Sequence, residues 1–288
     1  MDHERRLFPR YQTEADGDKI EHASQVNVCK TPYSLKFRKF YLNHRNSVFL
    51  QMTLNEVKAA VAGLGPAEGL QWIAGRFGST ARFSTSLGLE DQVISYWIGS
   101  KQLPIEVFSL DTGRLFQETY DVLQLTRIKY NLPVKVYYPD ATQVEQMVLA
   151  KGPNSFYDSV DNRKECCAVR KVGPLKRALT GAKVWITGIR ADQSANRQSM
   201  EIVEWDDAHQ LLKYNPILQW SFEDVEKFIK DNNIPVNSLH KKGFPSIGCA
   251  PCTRAIAPGE DIRAGRWWWE TSAKECGLHT VEPTKNRV

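Results

Sequence analysis

Between residues 81 and 189 the chain repeats one pattern, a short apolar run and then a stretch with helical amphipathic period. Ala81–Ser86, Ile105–Leu110, Val134–Tyr138 and Lys183–Ile189 read as strands. Leu89–Ile98, a stretch from about Leu115 to Tyr130, and the segment behind Asp140-Ala-Thr-Gln143 read as helices. Strands separated by helices must run parallel, because each crossover returns the chain to the same end of the sheet. The expected fold is therefore α/β, a doubly wound parallel sheet with helices on both faces. On either side, Thr53-Leu-Asn-Glu56 forms a capping box for a helix through about Ala62, and a second helix follows Gly65-Pro66. Ser221-Phe-Glu-Asp224 caps another, through about Asp231.

Residues 1–51 show no sustained period and read as a poorly ordered extension. Residues 52–262 read as the α/β domain, and 263–288 as an irregular, mobile C-terminal segment rich in Gly, Pro and Trp. The net charge is +5, but residues 1–51 carry nine Lys/Arg against six Asp/Glu, which leaves +2 for the rest. A nearly neutral body gives no basic stripe for nucleic acid. No apolar run approaches the ~20 residues of a membrane span, and no secretory apolar core opens the chain. Six cysteines, two of them adjacent, suit a reducing compartment better than a disulfide framework. A cytoplasmic location is expected.

In open parallel sheets ligands bind beyond the carboxyl ends of the strands. Three such ends carry small polar turns: Phe83-Ser-Thr-Ser-Leu-Gly88-Leu-Glu-Asp91, Ser109-Leu-Asp-Thr-Gly113, and Thr187-Gly-Ile-Arg-Ala-Asp-Gln-Ser194 with Arg197 beyond. Each alone is an ordinary turn. Together, with one turn entering a helix whose N–H groups attract anions, they converge on a nucleotide. The cysteines fall into a doublet, Cys166-Cys167, and a distant pair, Cys249 and Cys252. Adjacent cysteines pair poorly in a disulfide, and they serve one site only from a turn or a helix start. Four thiolates suit zinc or an iron–sulfur cluster. Lys164, Arg170 and Lys171 make the doublet's surroundings cationic. Arg263 and Arg266 offer bidentate contacts to phosphate or sulfate oxygens, while Trp267-Trp-Trp read as local packing. Cys276 is flanked by Lys274 and His279, whose cationic character favours the thiolate, and it is a candidate nucleophile.

The doublet, the pair Cys249/Cys252 and the ending Glu275-Cys-Gly-Leu-His279 resemble those of the assimilatory adenylyl-sulfate (APS) reductases, within the PAPS/APS reductase family. The likeness spans nearly all of residues 53–280 and leaves residues 1–51, with Cys29, outside it. It implies a fold like that of the ATP pyrophosphatases. It also implies a 4Fe–4S cluster on Cys166, Cys167, Cys249 and Cys252, and Cys276 as the nucleophile. By the same likeness Lys171, Arg263 and Arg266 approach the phosphosulfate. Ser84, Ser86, Gly88, Asp91, Leu110, Thr112, Gly188, Arg190, Arg197 and His279 complete the implied substrate site. The implied reaction is thiol-dependent reduction of APS to sulfite and AMP through a cysteine S-sulfonate, in sulfate assimilation towards cysteine. Thioredoxin or glutaredoxin is the implied reductant. The protein is expected as a homo-oligomer, with neither nucleic acid nor membrane as partner. Three alternatives stand beside this reading: a PAPS or dual-specificity reductase, an ATP-using sulfur-transfer enzyme, and a zinc-stapled binding module. The ATP-using relatives carry a turn like Ser-Gly-Gly-x-Asp-Ser, whereas residues 84–91 have one glycine and a bulky Leu87.

Overall fold

The structure, a computed structural model, describes residues 53–194 and 197–270. The N-terminal extension and the Cys276–His279 segment lie outside the described residues. Helix α1 covers residues 53–61 and α2 Pro66–Phe77, where Pro66 takes the first-turn position that needs no N–H donor. The core then alternates strand and helix: β1 (Ala81–Ser84), α3 (Leu89–Ser100), β2 (Glu106–Leu110), α4 (Gln117–Tyr130), β3 (Val134–Tyr137) and α5 (Ala141–Lys151). Next come α6 (Val160–Cys167), α7 (Gly173–Leu179), β4 (Val184–Ile186), β5 (Val203–Asp206), β6 (Leu211–Tyr214) and α8 (Phe222–Asp231). Asp140 caps α5 through Gln143, and Ser221 and Asp224 form the expected reciprocal box on α8.

The six strands lie in the order β3-β2-β1-β4-β6-β5, all parallel except β5. The doubly wound sheet expected from the sequence is present, with one antiparallel edge added by the β5–β6 hairpin. Alternation along β4 shows why both faces are covered. Val184 and Ile186 join Leu70, Ile73, Val93, Ile94 and Ile98 of α2 and α3 on one face. Trp185 points to the other, against Leu175, Ala178 and Leu179 of α7. Each fully buried aliphatic chain contributes about 1.5–3 kcal/mol. Among the described residues no helix is long and apolar enough to cross a membrane.

The register aligns the carboxyl ends of the central strands. Ser84 pairs with Phe108, and Phe83 with Ile186. The regular strands stop earlier than their apolar runs, because the next residues turn outward after one more ladder bond. Thr85 N–H donates to Phe108 O at 2.8 Å, and Thr187 N–H to Tyr214 O at 3.0 Å. The three polar turns therefore leave one edge of the sheet together.

Candidate active site

The β1 turn is held from inside. Asp91, in the first turn of α3, accepts from Ser86 N–H at 2.5 Å and Ser86 Oγ at 2.7 Å. Its burial pushes the carboxyl up to about 6, against the pull of those two bonds and of Arg197. Leu87 takes the left-handed conformation, φ 64°, that glycine usually supplies. Its side chain is buried, and its N–H donates to Thr85 Oγ1 at 3.0 Å. Tight curvature is thus reached without the second glycine of the ATP-using turn. Gly188, leaving β4, lies so close that a Cβ there would stand 2.2 Å from Asp91 Oδ1. Gly188→Ala is expected to force Asp91 off Ser86 and destabilise the fold by ~1–3 kcal/mol, the usual cost of overpacking. Denaturant melts check the stability. Nucleotide affinity, measured in parallel, should fall with it.

The second half of the site is one long rod. Ser159 caps α6 by accepting from Asn162 N–H. The helix runs through the doublet into a π-helical turn, Ala168–Val172, and on into α7. Pro174 accounts for the widening, since its ring would clash with the Arg170 carbonyl four residues back in a regular helix. Gly173 N–H accordingly bonds Ala168 O, five residues back. The doublet therefore sits within the rod, where α6 meets the π-turn, not at the helix start or turn that the sequence suggests. Both cysteines nevertheless line one cavity.

Cys166, Cys167, Cys249 and Cys252 all line that cavity, with Arg114, Phe156, Arg163, Arg170, Lys171, Pro251, Arg266 and Trp267. None of the four is in a disulfide. Burial raises the Cys166 thiol and pushes Cys252 up to about 12. Cys249 is the exception. Burial is the largest influence on it and raises it, yet Lys171, a Thr112 Oγ1 contact at 3.2 Å, Arg266 and Arg170 together bring it below the ordinary value. Among the described residues, no three His, Cys, Asp or Glu side chains group as ligands of a single metal ion. The C-terminal strap closes the cavity: Thr253 bridges to Arg266, and Trp267 N–H donates to Cys252 O at 3.2 Å.

Beside it opens a cleft of about 270 Å³, which shares Lys171, Cys249, Arg266 and Trp267 with the thiol-lined cavity. Ser84, Ser86, Gly88, Asp91, Leu110, Thr112, Lys171, Gly188, Arg190, Arg197, Arg263 and Arg266 all line this one cleft. His279 and Cys276 lie outside the described residues. Not every lining group faces the space. Arg190 is committed to Glu90 at 2.9 Å and to Asp192, with Phe222 under its guanidinium, so it braces the wall. Arg266 donates to Ser246 Oγ at 3.3 Å and Ile247 O at 3.4 Å.

Some lining residues escaped the sequence reading. Trp185 Nε1 donates to Ser84 Oγ at 2.8 Å, which directs that hydroxyl's own proton elsewhere. His240 Nδ1 stands 2.9 Å from Phe244 O, and a carbonyl only accepts, so Nδ1 carries the proton. Burial lowers this histidine, which keeps it neutral. The run Gly243-Phe-Pro-Ser-Ile-Gly248 before Cys249 was the available signal for this wall.

The sequence model of the phosphoadenosine phosphosulfate reductase domain matches residues 80–255, which spans the cleft turns and all four cavity cysteines. The chain belongs to that family. Among curated members, the adenosine 5'-phosphosulfate reductase of Agrobacterium fabrum is 46% identical over 82% of this chain and 91% of its own. That of Rhizobium meliloti is 51% identical over 76% and 83%. The family fold is also seen in the crystal structure of the phosphoadenylyl-sulfate reductase of Candida auris in its phosphate complex. It has a TM-score of 0.61 at 25% identity, over 72% of this chain and 97% of that one.

Proposed function

We propose that the chain reduces adenosine 5'-phosphosulfate to sulfite and AMP, in sulfate assimilation towards cysteine, with thioredoxin or glutaredoxin supplying electrons. The observation that supports this most is the shared wall between the anion-type cleft and the four-thiol cavity, with Lys171 and Arg266 in both. The relatives' names supply the nucleotide.

The cavity suits a 4Fe–4S cluster better than zinc. Four thiols ring it, two of them from an adjacent doublet, a spacing unusual for zinc, which usually draws on two spaced pairs. Trp267 Nε1, in its lining, is buried with no hydrogen-bond partner among the described residues, a donor suited to a sulfide acceptor. Cys166, Cys167, Cys249 and Cys252 would hold the cluster, which would supply a fixed charge beside the anion.

The chain's own residues do the rest. Turn 84–91 and the α3 N-terminus receive the nucleotide phosphate, while Lys171 and Arg263 draw charge from the sulfate oxygens. The Cys276 thiolate attacks sulfur; the bond from sulfur to the phosphate oxygen breaks, and AMP leaves with that electron pair. Cys276 is left as an S-sulfonate. A thiolate of the external dithiol then attacks Cys276 Sγ, sulfite departs, and the dithiol's second sulfur closes its own disulfide, releasing the Cys276 thiolate. The dithiol is oxidised as sulfur(VI) becomes sulfur(IV).

Lys171→Ala and Arg263→Ala should each lower kcat/KM by at least ~1.5–3 kcal/mol, about ten- to a hundredfold, as for a lost bond to a charged group. Unchanged kcat/KM in both would remove these side chains from the phosphosulfate. Steady-state comparison of APS with its 3'-phosphorylated form tests the substrate; preference for the latter would contradict the reading.

A further inference from the structure

One buried ion pair has no part in the chemistry above. Arg163 Nε donates to Glu270 Oε1 at 2.9 Å, and Nη2 to Oε2 at 2.9 Å, with both side chains 3% exposed. Such pairs are poor stabilisers as such, because desolvation offsets their attraction and apolar replacements often serve as well. The location of this one gives it another purpose. Arg163 stands one turn before Cys167 in α6 and also donates to that thiol. Its guanidinium lies over the Trp267 ring at 4.8 Å. Glu270 is fixed in turn by its N–H on Trp267 O at 2.9 Å. One planar guanidinium thus touches the cysteine doublet, the cavity's tryptophan and the residue six positions before Cys276. Six residues reach at most ~20 Å, so where Glu270 stands bounds where the Cys276 thiol can go.

We propose that Arg163 and Glu270 are positioning residues, which fix the root of the Cys276 segment to the helix that carries the cysteine doublet. This rests on Cys276 being the nucleophile. A bidentate fork fixes direction as well as distance, which a single-point contact from lysine would not.

Glu270→Gln keeps the shape but removes the charge, and the double variant Arg163→Met with Glu270→Met fills the volume with apolar atoms. Glu270→Gln should keep wild-type iron, while the double variant, which also removes the Arg163 contact to Cys167, is compared per mole of bound iron; both should bind APS within threefold of wild type. Both should lose at least tenfold in the single-turnover rate of S-sulfonate formation on Cys276. Amide exchange over residues 266–270 should quicken at least tenfold, with residues 160–172 unchanged. Should Glu270→Gln fail to fold, the double variant carries the test. Adduct rate and exchange within twofold of wild type would overturn the proposal, as would a rate loss that only tracks lost iron. If wild-type protein itself forms no adduct on Cys276, the reading of that cysteine falls, while the exchange data still decide whether the pair holds the segment.

Discussion

Cys276→Ser is expected to abolish sulfite release, with a loss in kcat of order 10⁴ or more, the scale seen when a covalent nucleophile is removed. A serine hydroxyl remains protonated near neutrality and is a far weaker nucleophile than a thiol, whose thiolate is accessible there. The four cavity cysteines are untouched by this change, so iron content and colour should match wild type. Binding of APS, measured by calorimetry, should survive because the strand-end turns and the basic wall are intact. A variant that binds and stays brown but forms no product separates the nucleophile from the scaffold. Undiminished sulfite from the variant would overturn the role.

Cys249→Ser is expected to have the second largest effect, on the proposed cluster site and on folding. Cys249 is buried beneath Thr112 and lies in the wall common to both cavities. A thiolate drawn below its ordinary value by Lys171, Thr112 and Arg266, despite burial, is a ready ligand, and serine offers no equivalent. Metal binding and folding are linked, so losing the group should lower stability by several kcal/mol, a Tm fall on the order of 10 °C for a domain of this size. Cys166→Ser should follow it. Iron and sulfide at wild-type content in either variant would sink the cluster assignment.

Much of this architecture is legible in the sequence, for reasons that differ by element. Strand β4 is apolar on both faces, and the polar turns that end the central strands are small, so the parallel sheet and the edge that bears the cleft show directly. The β5–β6 hairpin does not. Lys213 stands in β6, where it is buried against Glu204 and the Trp185 ring, and a lysine disguises an inner strand. The hairpin turn carries no glycine, and Gln210 supplies the positive φ of 55° instead. The π-turn after the doublet has only Gly173-Pro174 as its local sign. Arg163 and Glu270 stand 107 residues apart, and no spacing rule joins them. Cleft-wall residues on strand ends could be read locally. Those contributed by residues 237–248 are harder to read, because an irregular segment has no period to follow and only the glycine- and proline-bearing run before Cys249 marks it.

The most direct test of the central claim mixes wild-type protein with APS in the absence of any thiol reductant and maps its peptides by mass spectrometry. The account predicts one sulfonate per chain, confined to the peptide containing Cys276, and its release as sulfite when thioredoxin is added. An adduct on Cys29, or sulfite formed with no adduct at any cysteine, would contradict it.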